Sequence, residues 1–208
     1  VGAPYRLLIF DFDGTLADTF PAFERAVQEA IPRFGMRAVN SEDLARLRGM
    51  SAREIIRFLR LPFWKVPRVG KFVRERMAAE RLQLFKGVDE ILRTLAEAGL
   101  TLAFVSSNSE TNIRAVLGPE LASLFTTFAC GASLFGKASR FRQVLKRTGV
   151  APAQTITIGD EIRDAEAAAS AGIAFGAVAW GYTEVTALQR SDPAAVFHTP
   201  ADLLSLLL

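Results

Sequence analysis

Arg6-Leu-Leu-Ile-Phe10, running directly into Asp11-Phe12-Asp13-Gly14-Thr15, is the stretch from which the fold is read. Its first half is a short, continuous apolar run, which suits a strand buried on both faces of a parallel sheet. Similar runs recur at Leu100–Val105 and Thr155–Ile158, with a weaker one at Gly176–Ala179. Segments with helical spacing lie between them. Val88, Ile91, Leu92 and Leu95 form one apolar stripe on a helix that Gly99 would end. Phe141, Val144 and Leu145 do the same before Gly149, and the helix-forming Ala165 to Ala171 stops at Gly172. Strand alternating with helix predicts an α/β, doubly wound parallel sheet, with ligands at the carboxyl ends of its strands.

The interval from Leu16 to Lys86 breaks that alternation. Phe20, Phe23, Val27, Ala30, Ile31 and Phe34 have helical spacing, as do Leu44 with Leu47, then Ile55, Ile56 and Leu59, then Phe72, Val73, Met77 and Leu84. Four helices with turns near Gly35, Gly49 and Leu61-Pro62 are expected, and no strand. This predicts an all-helical cap of residues 16–86 inserted after the first strand, over a core made of residues 1–15 and 87–208. Phe63-Trp64 is expected in the cap's own core, since so small a unit needs its aromatics inside. The basic residues Lys65, Arg68, Lys71, Arg74 and Arg76 lie within helical reach of Glu75 and Glu80 and read as ion-paired surface. Leu203–Leu208 is expected to pack as a helix on the sheet.

The whole chain of 208 residues is 50% apolar, 23% charged and 10% aromatic, which excludes intrinsic disorder. One cysteine, Cys130, excludes an internal disulfide and a multi-cysteine zinc site, and it reads as a buried, inert thiol. One histidine, His198, excludes a histidine-rich metal site and is expected to be structural or exposed. The chemistry must therefore run on carboxylates, hydroxyls, lysine and arginine. A net charge of +3, spread without a basic run, gives no nucleic-acid footprint and fits an anionic small substrate. No signal-peptide pattern is present over Val1 to Phe10, and no window suits a membrane span, so a soluble, cytoplasmic chain is expected.

Asp11 and Asp13 sit at same-side positions at a strand end, where they would repel unless a cation or a shared proton compensates them. An Asp-Gly turn explains Asp13-Gly14 but not a second aspartate aimed at the same space. Asp160, in Gly159-Asp160-Glu161-Ile162-Arg163-Asp164, ends another buried strand in the same way. Asp164 and Glu161 are equally explained by the dipole of a helix N-terminus. Three or four carboxylates on one sheet edge point to a hard divalent cation, Mg²⁺. Ser106-Ser107-Asn108, at the end of a third apolar run, is either an anion cradle or an ordinary helix cap. Lys137, in Phe135-Gly136-Lys137-Ala138-Ser139, draws notice because an acid-rich site needs a fixed positive charge.

In this order the four elements resemble the motifs of the haloacid dehalogenase superfamily: Asp11-Phe-Asp13-Gly-Thr15-Leu, Ser106 (with Ser107 as a frame shift), Lys137, and Gly-Asp160 through Asp164. The helical insertion is similar to that superfamily's type-1 cap. Phe85-Lys86-Gly87-Val88 (with Lys86 where proline is common), Ala-Trp180-Gly181-Tyr182 and Pro200-Ala-Asp-Leu-Leu204 are similar to phosphoglycolate-phosphatase-like members. The resemblance implies an aspartate-nucleophile phosphohydrolase acting on a small phosphorylated metabolite. Asp11 would attack phosphorus, and Asp13 would protonate the leaving oxygen and then activate water. Thr15 would position Asp13. Ser106, with Ser107, Asn108 and nearby amides, would hold phosphoryl oxygens, and Lys137 would offset negative charge around Asp11. Mg²⁺ would be held by Asp11, the Asp13 carbonyl and Asp160, with Asp164 behind them orienting Lys137 or a metal-bound water. Dehalogenases of the superfamily need no acid at the position of Asp13, so phosphoryl transfer is favoured over carbon–halogen cleavage. Arg48-Gly-Met-Ser51 resembles the cap loop that reaches into the site; Arg48 either binds a substrate carboxylate or second phosphate, or is a solvated helix-end arginine. A sugar-phosphate mutase and a non-catalytic regulatory relative remain alternatives. No membrane or nucleic-acid partner is expected, and the chain would act as a monomer or homodimer.

Overall fold

A computed structural model describes residues 5–131 and 136–208; Phe135, quoted above beside Lys137, lies outside them. Six parallel strands, β1 (Leu7–Phe10), β2 (Thr101–Val105), β3 (Phe125–Ala129), β4 (Thr155–Gly159), β5 (Ala174–Val178) and β6 (Ala195–Phe197), form one sheet in the order β3-β2-β1-β4-β5-β6. The central strand β1 is apolar at every position because both faces are covered. Leu8, Phe10, Leu102, Phe104, Ile156 and Ile158 point into one core, packed by helices α5 (Val88–Glu97) and α6 (Glu110–Ser123) and by a C-terminal 3₁₀ helix (Pro200–Leu207). Leu7, Ile9, Ala103 and Val105 point into the other, under α7 (Lys137–Thr148) and α8 (Ile162–Ala171). A final short helix, α9 (Val185–Gln189), adds Leu188 to that second core.

Strands β1, β2 and β4 are in register, Phe10 lying opposite both Phe104 and Ile158. Asp11, Ser106 and Asp160 therefore emerge together at one sheet edge. The strand order reverses direction between β1 and β4, and an open sheet of this kind binds its ligands at such a point.

Strands β3 and β6 carry no run in the sequence reading. In β3 two threonines interrupt the apolar pattern, and in β6 only three residues pair at the sheet's edge. The C-terminal leucines, expected as a helix on the sheet, wind as a 3₁₀ helix that packs chiefly on α5 and also meets β6.

Between β1 and α5 the chain forms four helices: α1 (Phe20–Phe34), α2 (Ser41–Leu47), α3 (Ala52–Phe58) and α4 (Val66–Ala78). Their ends follow local rules. Gly35 closes α1 at φ 66°, a conformation costly for any residue with a Cβ. Asn40 and Ser51 start α2 and α3 with reciprocal capping boxes. Ala22, Ala26, Ala30, Ile31, Met36, Leu59, Leu61, Val73 and Met77 give this insertion an apolar core of its own. The two chain crossings that join it to the sheet are tied together. Asp18 N–H donates to the Gln83 carbonyl at 2.9 Å, and Phe85 N–H to the Leu16 carbonyl at 2.9 Å, around an isolated bridge between Ala17 and Leu84.

Phe63 and Trp64 correct the sequence reading. They sit on a 3₁₀ turn before α4 and are 70% and 78% exposed, because Ala22, Ala26 and Ala30 of α1, Val73 and Met77 of α4, and Leu59 and Leu61 after α3 fill the insertion's core without them. The basic stretch is also paired differently than the helical spacing implies. Lys71 meets Glu75 at 3.7 Å, but Arg76 reaches across to Glu29 at 3.0 Å and Glu80 pairs with Arg25.

Phe104 is fully buried and stacks on Phe125 at 4.1 Å and Phe128 at 5.3 Å. Phe104→Ala should cost about 3–5 kcal/mol in urea unfolding, as for large core aromatics. Trp64→Ala should stay within about 0.5 kcal/mol of wild type. A large loss for Trp64→Ala would restore it to a core.

Candidate active site

The end of β1 and the turn after it place Asp11, Asp13 and Thr15 within a few ångströms of the β4 end. Asp11 is 3% exposed. Its Oδ1 accepts the Phe12 N–H at 2.7 Å, and its Oδ2 is ion-paired with the buried Lys137 ammonium. Lys137, the first residue of α7, also pairs with Asp164 of α8. Burial opposes the charge on Asp11. The charge of Lys137, then that of Arg163, and the hydrogen bonds from Lys137 and Phe12 outweigh it and hold this carboxyl below its usual range. Burial likewise opposes the charge on Lys137, but Asp11 and Asp164 keep its ammonium protonated well above the ordinary lysine value.

Asp13 behaves in the opposite way. Burial, and next the negative charge of Asp11, raise it to about 7, against the pull of a hydrogen bond from Asn108. The Asn108 amide donates to both Asp13 oxygens at 3.2 Å. Two aspartates two residues apart are therefore displaced in opposite directions, the arrangement from which acid and base roles are assigned.

Asp160 is fully buried and held on both oxygens. Thr15 Oγ1 donates to Oδ1 at 2.8 Å, and Tyr182 N–H donates to Oδ2 at 2.7 Å. Thr15 was expected to position Asp13; its hydroxyl goes to Asp160 instead, because the turn at Gly14 swings it toward β4. Gly14 has φ 72°, and a Cβ there would collide with the Asp160 carboxylate and the Tyr182 ring. A Cβ on Gly181 would collide with Asp160 from the other side. Two glycines thus let the backbone close around this carboxylate.

Asp11, Asp160 and Asp164 bring one oxygen each within 4.8 Å of one another. Burial, then the charges of Glu161, Asp11 and Asp164, push Asp160 well above the carboxylate range. Asp164 is raised to about 6 by burial, with Lys137 pulling it down and Asp11 pushing it up. Carboxylates here outnumber the cations Lys137 and Arg163, and all offer hard oxygen donors. That donor set suits a divalent cation of the Mg²⁺ kind.

Ser106 is buried, its Oγ accepting the Asn108 N–H at 3.2 Å. Ser107 and Asn108 line a cavity of about 250 Å³ between the sheet edge and the insertion, together with Asp13, Glu161, Arg163 and Tyr182. Arg48 lines a smaller neighbouring cavity, with two of its guanidinium nitrogens committed to backbone carbonyls. Nε donates to the Tyr182 carbonyl at 3.1 Å and Nη2 to the Gly181 carbonyl at 3.0 Å, while the guanidinium lies over the Phe20 ring. It therefore straps the insertion to the loop after β5.

Three residues of the site were given no role in it from sequence. Tyr182 shares a 2.7 Å hydrogen bond with Thr19 and packs on Phe20 and Phe23. Arg163 pairs with Glu161 at the start of α8. A cation in a helix's first turn opposes the dipole, and that conflict was the available signal for Arg163. For Tyr182 and Thr19 no spacing rule exists. Cys130 is half-buried rather than fully buried, and burial followed by the charge of Glu110 pushes its thiol up to about 12, which leaves it inert. His198 is exposed, its backbone N–H bound by Asp202 at 2.7 Å.

With one carboxyl held below its usual range and a second raised beside it, the acidic cluster stands at the ligand-binding edge of a doubly wound α/β sheet. A family model described as haloacid dehalogenase-like hydrolase matches residues 8–178. The phosphoglycolate phosphatase of Synechococcus elongatus is 37% identical over 202 residues, covering 96% of this chain and 95% of that protein. A haloacid dehalogenase-like hydrolase from Streptococcus pneumoniae shares the fold with a TM-score of 0.81 at 22% identity, covering 99% of each chain. CbbY from Rhodobacter sphaeroides, solved in complex with xylulose-(1,5)bisphosphate, does so with a TM-score of 0.74 at 23% identity, covering 98% of this chain and 99% of its own. This chain belongs to the haloacid dehalogenase-like hydrolase family. Within it, the chain is a phosphoric monoester hydrolase similar to the phosphoglycolate phosphatases. Among the described residues no helix is long and apolar enough to cross a membrane.

Asp13 carries its proton to about pH 7 in the folded protein but releases it near 3.8 when unfolded. Between those values the unfolded state binds fewer protons, so this group's contribution to stability is full below about pH 4 and is lost as pH rises through about 7. In urea titrations without divalent ions, Asp13→Asn should therefore gain on wild type over that window, by up to about 1.4 kcal/mol per pH unit. Parallel stability curves would contradict the raised carboxyl.

Proposed function

We propose that this chain is a Mg²⁺-dependent phosphatase of small phosphomonoesters, phosphoglycolate-like in substrate, working through an aspartyl-phosphate on Asp11. The opposite displacement of Asp11 and Asp13 carries the reading, because this chemistry needs a charged nucleophile beside a protonated acid. Residues 1–15 and 87–208 form the catalytic core in this account, and residues 16–86 the cap over its edge.

An Asp11 oxygen attacks phosphorus while the bond from phosphorus to the leaving oxygen breaks, and Asp13 gives its proton to that oxygen. The Asp13 carboxylate then takes a proton from water, which attacks the same phosphorus. Phosphate leaves, and both aspartates return to their starting states. Lys137 fixes Asp11 in its charged form and stays protonated throughout. Ser106, Ser107 and Asn108, with the amides of their turn, hold the phosphoryl oxygens. Asn108 also orients the acid. Asp11, the Asp13 carbonyl and Asp160 would hold Mg²⁺, with Asp164 keeping Lys137 in place. The cation supplies neutralisation of charge on the transferring phosphoryl group. The insertion closes the cavity and keeps bulk water from the intermediate.

Phosphate release from 2-phosphoglycolate should require Mg²⁺, and Asp11→Asn should lose at least about 10³-fold in kcat, as for other nucleophile deletions. Activity surviving Asp11→Asn overturns the mechanism. The alkaline limb of kcat/KM should fall near pH 7 as Asp13 loses its proton. Mg²⁺ at 100 times its Kd should raise Tm by roughly 5–10 °C. Asp160→Asn should remove most of that rise.

A further inference from the structure

Arg163 Nε is the one buried side-chain nitrogen or oxygen that lacks a hydrogen-bond partner among the described residues. Native proteins satisfy nearly all such groups, so this guanidinium carries donor capacity that the chain itself does not use. The guanidinium is held in place through Nη2, which is ion-paired with Glu161 and makes its only hydrogen bond among the described residues, and Arg163 lines both cavities under the insertion.

The larger cavity starts at Asp13, the acid that serves the leaving oxygen, so its space belongs to the leaving group. The walls that α1, α3 and α4 give it are apolar: Phe23, Val27, Ile55, Leu59, Val69 and Val73. A hydroxyl-rich leaving group would find no partners along them. Other cations nearby are engaged or solvated. Lys137 is taken by Asp11 and Asp164, Arg48 donates to two backbone carbonyls, and Arg74 lines the cavity from an exposed position on α4.

We propose that Arg163 determines the specificity of this site, its guanidinium donating to an anionic oxygen on the leaving group, so that phosphomonoesters of small hydroxy acids are selected over those of uncharged alcohols. The inference rests on the phosphatase reading above and adds to it the residue that reads the second anion. It also moves the carboxylate-binding role considered for Arg48 to an arginine whose guanidinium is engaged only through Nη2.

The test compares kcat/KM, with Mg²⁺ present, for 2-phosphoglycolate and ethyl phosphate, which carries a methyl group in place of the carboxylate. The wild-type ratio should be about 100, the size expected of a desolvated, charge-assisted hydrogen bond. Arg163→Gln should lower that ratio by at least about 10-fold, and Arg163→Lys should recover part of it through charge alone. A wild-type ratio near one overturns the proposal, and it is read without any variant, so a failure of Arg163→Gln to fold does not blunt the test. So does a ratio that Arg163→Gln leaves unchanged, or one that collapses in Arg74→Gln instead. No phosphate release by wild type from either ester would overturn the phosphatase reading itself, and this inference with it.

Discussion

Lys137 places a buried ammonium between two buried carboxylates, Asp11 at the end of β1 and Asp164 in the first turn of α8. Taking one cation and two anions out of water is costly, and it is tolerated only where mutual attraction is strong and the geometry tight. In the proposed mechanism that contact sets the chemistry. The same charge that keeps Asp11 ionised leaves Asp13, two residues on and without a cation of its own, to respond to burial and to Asp11's negative field. One lysine thereby makes two neighbouring, chemically identical side chains unlike each other. Asp164 is spent mainly on holding the lysine, and its second oxygen accepts the Glu161 N–H, which fastens the arrangement to the start of α8.

The fold brings these groups together with little local strain. Parallel strands in register deliver Asp11, Ser106 and Asp160 to one edge, and α7 brings Lys137 up from the opposite face of the sheet. Gly14 and Gly181 remove the two side chains that would stand in the way of Asp160. The insertion is fastened twice, by the paired crossings at Ala17 and Leu84 and by Arg48 on the loop holding Tyr182. That loop touches both Asp160 and Thr19, so the position of the insertion and the shape of the acid cluster are coupled through Tyr182.

Much of this was legible in the residues. Four apolar runs marked β1, β2, β4 and β5, and their helices ended at the glycines that sequence pattern nominated. The acids at strand ends were readable because each follows a buried run, which fixes where its side chain must emerge. Strands β3 and β6 were not readable, since an edge strand with threonines and a three-residue strand carry almost no periodic signal. Phe63 and Trp64 misled because size and hydrophobicity alone do not say which face of a short turn is covered. The partner of Thr15 could not be read either: the choice between Asp13 and Asp160 depends on a turn geometry that only the packed structure decides. Arg163 stands between Glu161 and Asp164 with no role given from sequence, and only its place on the cavity lining, with a guanidinium engaged through Nη2 alone, singles it out.

The account turns on Asp11 and Asp13 differing in protonation. Carboxyl-carbon NMR titration of the two side chains, without divalent ions, measures this directly. Asp13 should titrate near pH 7 while Asp11 stays ionised down to below the ordinary aspartate value. If Asp13 titrates near 4, with Asp11 at the same value or above it, Lys137 does not separate the pair, and the assignment of nucleophile and acid falls.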